Sequence, residues 1–107
     1  MKVRINRKLI LEEDDIIYLD HYDRKTYIHT ANEIFCTYQT TKEVASKLSE
    51  NFILVNKALY VNTLWISELE GCKYVLKNGE ILYGAVRKAG FHRRLNKKLK
   101  GIIFIKR

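Results

Sequence analysis

The sequence predicts a mainly β domain: short antiparallel strands in small packed sheets, with one or two short helices. Short runs of aliphatic and aromatic residues, many of them strand formers, recur between acidic or turn residues. An Asn78-Gly79 turn sits between two such runs. Helical signals occur in only two places, at Thr40 and in the basic stretch after Lys88.

Taken in order, Val3-Arg4-Ile5 and Lys8 to Leu11 carry strand-forming aliphatics. The acidic run Glu12 to Asp15 interrupts them as a solvated loop, with Asp15 capping the turn at Ile16. Ile16 to Leu19 resumes the strands, and Thr26 to Thr30 and Ile34 to Tyr38 form a hairpin about Ala31-Asn32-Glu33. Thr40-Thr41-Lys42-Glu43 is a capping box, which predicts a helix from Thr41 to about Glu50. Val44, Ala45 and Leu48 share one face of it, with Lys42, Lys47 and Glu50 toward solvent. Phe52 to Asn56 is the next strand, and Asn62 marks a bend where it satisfies backbone groups. Tyr74 to Lys77 and Glu80 to Tyr83 flank Asn-Gly, a pair suited to the positive φ angles of a type I′ turn. The second of these runs continues as a strand from Tyr83 to Val86.

Phe91, Leu95 and Leu99 then recur at i, i+4 and i+8 among Arg93, Arg94, Lys97, Lys98 and Lys100. This predicts a basic amphipathic helix from about Lys88, ended by Gly101 as its C-cap. Ile102 to Ile105 reads as a terminal strand.

A chain of 107 residues is the size of one compact domain. With 47% hydrophobic and 30% charged residues it can bury a core. Twenty Lys and Arg against twelve Asp and Glu give a net charge of +8, which favours polyanionic partners, nucleic acid first and anionic membrane surfaces second. No apolar run approaches the ~20 residues of a membrane span, and the first residues carry no signal-peptide core, so a cytoplasmic location without membrane insertion is expected. Cys36 and Cys72 form no CxxC pair and read as buried, reduced thiols.

Phe52 to Asn62 (FILVNKALYVN) and Asn78 to Lys88 (NGEILYGAVRK) together resemble the second half of a LytTR-type bacterial DNA-binding domain, from the LytR/AgrA family of response regulators. Phe52, Lys57 and Tyr60-Val61-Asn62 stand where that family has an aromatic residue, a polar or basic residue and an apolar-Val-Asn step. Ile66, Asn78-Gly79 and Ala85-Val86-Arg87 follow in the family's order. Upstream, Asp15 to Asp20 and Tyr27 to Thr30 resemble its earlier strands, so the likeness covers roughly residues 5 to 99. Many members carry His-Arg-Ser before the apolar-Val-Asn step, whereas this chain has Asn56-Lys57-Ala58.

The resemblance implies sequence-specific binding of double-stranded DNA by loops inserted into successive grooves, in the output domain of a transcription regulator. It also implies direct-repeat targets occupied by two copies, a homodimer on DNA, and attachment to a receiver domain. Arg87 is the best-matched base reader, able to hold guanine by two hydrogen bonds. Lys57 is placed to meet a base or a phosphate, with Asn56 beside it an equal candidate for adenine. In the first loop, taken as Arg24-Lys25-Thr26 before Tyr27, both Lys25 and Thr26 are candidate base contacts. Arg24, Lys88, Arg93, Arg94 and Lys97 are the candidate phosphate contacts.

Two other classes fit part of the pattern. A small basic RNA-binding protein accommodates the charge and the seven tyrosines, although most of these alternate with aliphatics and read as core. A protein-interaction module would dock through Ile102 to Ile105 or the Phe91 helix. Catalysis, cofactors and metals find no support: His21, His29 and His92 lack zinc spacing, the acids Glu12 to Asp15 are consecutive, and no Gly-rich phosphate loop or nucleophile elbow is present.

Overall fold

The structure, a computed structural model, describes residues 1–105, with side chains through residue 100. The chain divides into two compact units, Met1–Trp65 and Ile66–Arg107. Among the described residues the strands form three antiparallel sheets, of two, three and five strands, and helices are few, so the predicted β class holds.

In the first unit, β1 (Lys2–Arg4) pairs with β2 (Ile10–Glu12). A 3-10 turn, Glu13–Asp15, leads into β3 (Ile16–Tyr22), β4 (Lys25–Thr30) and β5 (Ile34–Thr37). After α1 (Thr41–Ala45) come β6 (Phe52–Asn56), β7 (Leu59–Asn62) and a 3-10 turn, Thr63–Trp65. The five-stranded sheet has the order β5-β4-β3-β7-β6. Its central strand, β3, has four consecutive buried residues, Ile16 to Leu19, because both faces of the sheet are covered there.

Register sets the core. Leu19 lies opposite Ile28 and Tyr60, and Ile28 opposite Phe35, which forms one continuous apolar row across the sheet. Val3, Ile5, Ile16, Val44 and Phe52 complete the cluster. Ile5, Ile16, Leu19 and Ile28 are fully buried, each a gain of about 1.5–3 kcal/mol. Asn62 is buried beside them and does what its bend requires: its Nδ2 donates to the Ile16 carbonyl at 2.9 Å and its Oδ1 accepts from Leu64 N at 3.0 Å.

The capping box forms as predicted: Glu43 N donates to Thr40 Oγ1 at 3.0 Å, and Thr40 N donates to Glu43 Oε1 at 3.0 Å. Donation to its carboxylate, from the Thr40 N–H first and the Thr40 hydroxyl second, holds the Glu43 carboxyl below its usual pKa. The helix is shorter than predicted and ends at Ala45 instead of near Glu50. After Ser46 the chain tightens to i−3 bonds, Lys47 N to Val44 O and Leu48 N to Ala45 O, both at 3.0 Å, and the next amide, Ser49 N, is taken at 2.7 Å by the buried Glu13 carboxylate. The expected solvated loop is therefore a structural turn, with Glu12 at its N-cap position and no side-chain cap.

In the second unit, β8 (Ile66–Glu70), β9 (Lys73–Leu76) and β10 (Ile81–Tyr83) form a meander in the order β10-β9-β8. The Asn-Gly hairpin exists, but its turn differs from the type I′ prediction. Only Gly79 takes positive φ (91°), Gly79 N donates to Leu76 O, and Leu76 N donates to Glu80 O, both at 2.9 Å. This is a three-residue loop with glycine at the left-handed position, and Asn78 uses its side chain to accept from Glu80 N at 3.0 Å. A 3-10 turn, Val86–Lys88, then precedes α2 (Ala89–Ile105). The predicted strand Tyr83 to Val86 thus stops at Tyr83. Gly101 is inside α2 and not its C-cap, and Ile102 to Ile105 continues the helix and is not a strand.

Both cysteines are free, but neither is buried as predicted: Cys36 is exposed on β5 and Cys72 is half-buried in the β8–β9 turn. Tyr18 and Tyr74 are core residues, Tyr60 packs against the core and Tyr27 is half-buried, whereas Tyr22, Tyr38 and Tyr83 are exposed. No helix among the described residues is long and apolar enough to cross a membrane.

Candidate nucleic-acid interface

The sheet topology of the first unit brings two basic turns to one end. β3 and β4 pair Tyr22 with Lys25, so the turn is Asp23-Arg24, both at positive φ (49° and 67°). That is the type I′ geometry whose twist matches a two-residue hairpin. β6 and β7 pair Asn56 with Leu59, which leaves Lys57-Ala58 as the second turn, with Ala58 at φ 51°. Tyr18 pairs with Val61 and Leu19 with Tyr60, so following β3 toward Tyr22 means following β7 back toward Ala58. Because β3 and β7 are neighbours, the two turns leave the sheet side by side.

Arg24 and Lys57 are exposed there. The ion pairs among the described residues join the Met1 amino terminus to Glu12 and His29 to Asp20, so neither cation is held in a salt bridge, and the acid nearest in the chain is Asp23, beside Arg24 in the first turn. Asn56 is half-buried, and its Oδ1 accepts from Lys57 N at 2.8 Å, which orients the turn. Lys25 extends along β4 with Nζ 5.6 Å from the centroid of the exposed Tyr38 ring.

In the second unit, Arg87 occupies the middle of the 3-10 turn and is exposed. Lys88 is half-buried, with Nζ 4.6 Å from the Phe91 ring centroid. Along α2, Phe91, Leu95, Asn96 and Leu99 are half-buried and His92 is buried, while Arg93, Arg94, Lys97, Lys98 and Lys100 are exposed. The helix therefore presents an uninterrupted basic face from Arg93 to Lys100, the electrostatic footprint of a polyanion site.

His92 is the centre of a buried network. Tyr74 Oη lies 2.7 Å from Nδ1, and Nε2 lies 2.9 Å from the Ala85 carbonyl. Burial, then the nearby Cys72 thiol, pushes the Tyr74 hydroxyl up to about 12, so it stays a neutral donor.

A family model described as the LytTr DNA-binding domain matches residues 6–100. The chain belongs to that family. A solved LytTr DNA-binding domain from a Bacillus cereus response regulator is similar in structure, with a TM-score of 0.72 and 18% identity over 89% of this chain and 94% of that chain. Comparison with curated proteins finds no match. The family match runs through both compact units, and the LytTR membership makes the chain a DNA-binding domain.

Within the LytTR domain the candidate residues separate. Arg24, Lys57, Arg87, Arg93, Arg94 and Lys97 are exposed cations on turns or on the basic face of α2. Thr26 is not available as a base contact: it is fully buried and its hydroxyl donates to the Gln39 carbonyl at 2.6 Å. The first loop is correspondingly Asp23-Arg24, with Lys25 and Thr26 inside β4. Arg87 sits on a 3-10 turn and not at the end of a strand. In the sequence His92 is only one polar residue in a basic helix; its proximity to Gly84, whose missing Cβ leaves room for the imidazole, has no local signal.

Proposed function

We propose that this LytTR domain recognises specific duplex DNA sequences as the output domain of a bacterial transcription regulator, with its basic turns entering the grooves. The observation that carries this reading is the pair of exposed cations, Arg24 and Lys57, on turns that leave one end of the five-stranded sheet side by side. A turn presents its side chains ahead of the sheet, and rigid presentation is what base readout needs. Arg87, exposed on its own turn, is the principal reader; Lys57, Asn56 and Lys25 supply further base or register contacts, and Arg24, Lys88, Arg93, Arg94 and Lys97 neutralise phosphates. Targets are direct repeats filled by two copies as a homodimer on DNA, and a receiver domain on the same regulator supplies the signal. Such a regulator works in the cytoplasm, by binding and without catalysis.

Selection from random duplex DNA tests the reading. A recovered motif whose recognition loses selectivity at one base pair in Arg87→Ala supports it; enrichment of no motif refutes it. A second reading, binding of single-stranded RNA, rests on Tyr22 and Tyr38, 73% and 81% exposed beside the basic turns and available for base stacking. Competition between duplex DNA and RNA of the same length separates the two.

A further inference from the structure

We infer that His92 is the positioning residue for the Arg87 turn: it sets the direction of the peptide on which that turn is built, and so the base preference of Arg87. The inference rests on the reading of Arg87 as a base reader.

The Ala85 carbonyl accepts two hydrogen bonds. Lys88 N donates to it at 3.0 Å, which closes the 3-10 turn Val86–Lys88, and His92 Nε2 lies 2.9 Å away. A carbonyl has no proton to give, so Nε2 carries the N–H and donates, and Nδ1 is left as the acceptor for the Tyr74 hydroxyl at 2.7 Å. Tyr74 itself is fully buried and meets the imidazole edge-on, with ring centroids 5.4 Å apart at 81°. The ring therefore has a fixed tautomer and a fixed plane, and it transmits both to the Ala85 peptide.

The backbone is shaped to allow this. A Cβ on Gly84 would collide with His92 Cε1, so only glycine lets the chain pass over the ring. Gly84 N donates to Cys72 O at 2.8 Å, which anchors the residue just before the clamp. Beyond it, Val86 contributes little packing. Val86 is 80% exposed, and a cavity of about 320 Å³ is lined by Val86 together with Gly71, Cys72, Ala89, Arg93 and Asn96. No side chain of the N-cap residue caps the turn. The His92 bond to Ala85 thus holds the start of the turn from behind, while Lys88 at its end lies over the Phe91 ring.

The test uses the full chain and a duplex selected from random DNA, with single-base variants at the pair whose recognition depends on Arg87. Gln at position 92 carries an amide nitrogen near the place of Nε2 and keeps a donor for Ala85; Asn carries its amide near Nδ1 and does not. His92→Asn is expected to lower discrimination at the Arg87-dependent pair roughly tenfold, part of the value of a bidentate Arg contact, and His92→Gln to restore most of it. In the Arg87→Ala background His92→Asn is expected to cause no further loss of discrimination. Circular dichroism and melting curves select folded variants. If His92→Asn does not fold, Tyr74→Phe, which removes only the hydroxyl, is expected to show a smaller loss at the same base pair.

A folded His92→Asn, or failing it a folded Tyr74→Phe, with full discrimination overturns the positioning role and leaves the Arg87 reading intact. A loss spread equally over all base pairs, persisting without Arg87, shows a purely structural residue and also overturns it. Full discrimination in Arg87→Ala overturns the reader assignment itself, and the positioning role with it.

Discussion

The amide of Asn62 donates to the carbonyl of Ile16 at 2.9 Å and joins the end of β7 to the start of β3 from inside the core. The same side chain accepts from Leu64 N at 3.0 Å, so it closes the bend into the following 3-10 turn as well. Asn62→Ala strands the Ile16 carbonyl in the core, while the partly buried Leu64 N–H can turn to water. A loss of about 1–3 kcal/mol is expected, the cost of one unsatisfied buried group. Urea denaturation measures it; a change under 0.5 kcal/mol would show that water replaces the amide.

Thr26 separates stability from recognition. Its buried hydroxyl bond to Gln39 O predicts that Thr26→Val costs about 1–2 kcal/mol while base preference is unchanged. The neighbouring Arg24→Ala, at an exposed turn, is expected to leave stability within about 0.5 kcal/mol and to weaken DNA binding. Equilibrium unfolding and a binding titration on each variant check the pair. Altered base preference in folded Thr26→Val would return that residue to the interface.

Tyr74 makes the domain sensitive to alkali. Its hydroxyl ionises at about 12 in the fold and near 10 when unfolded, so the folded state holds the proton more tightly. The contribution is fully present below pH 10 and is lost as the pH rises toward 12, amounting to roughly 2–3 kcal/mol. Tyr74→Phe is expected to be less stable than the parent at neutral pH and to lose less stability than the parent between pH 9 and pH 12. Parallel fall-off in both proteins would place the alkaline sensitivity elsewhere.

Arg94 tests the basic face of α2. Arg94→Ala is expected to weaken binding about equally for every duplex sequence and to reduce the salt slope by about one. Titrations at several salt concentrations on selected and scrambled duplexes supply the comparison. A shift in base preference would make Arg94 a reader.

Much of the fold is legible from neighbours in the chain. The Thr40 capping box, the strand Phe52–Asn56, the bend at Asn62 and the alternation of buried and basic positions after Phe91 all appear where their local patterns place them. The LytTR order of elements is legible for the same reason, since it is an order of such patterns. The site was legible only as residue types: the cations Arg24, Lys57 and Arg87 are visible in the sequence, but which of them share an end of a sheet is not.

By itself the sequence determined the β class, the family, the turn positions to within a residue or two, and the excess of positive charge. Tertiary structure decided the rest through bonds between distant residues. Glu13 fixes the chain after α1 by taking Ser49 N, Thr26 is withdrawn from solvent by Gln39, and the Arg87 turn is held from behind by His92 and Tyr74. Helix caps, turns and amphipathic faces are encoded within about four residues, because that is the reach of a local hydrogen bond or a helical turn. The partner of a buried polar side chain is chosen by whichever backbone the fold carries past it, and that choice exists only once the sheets have formed.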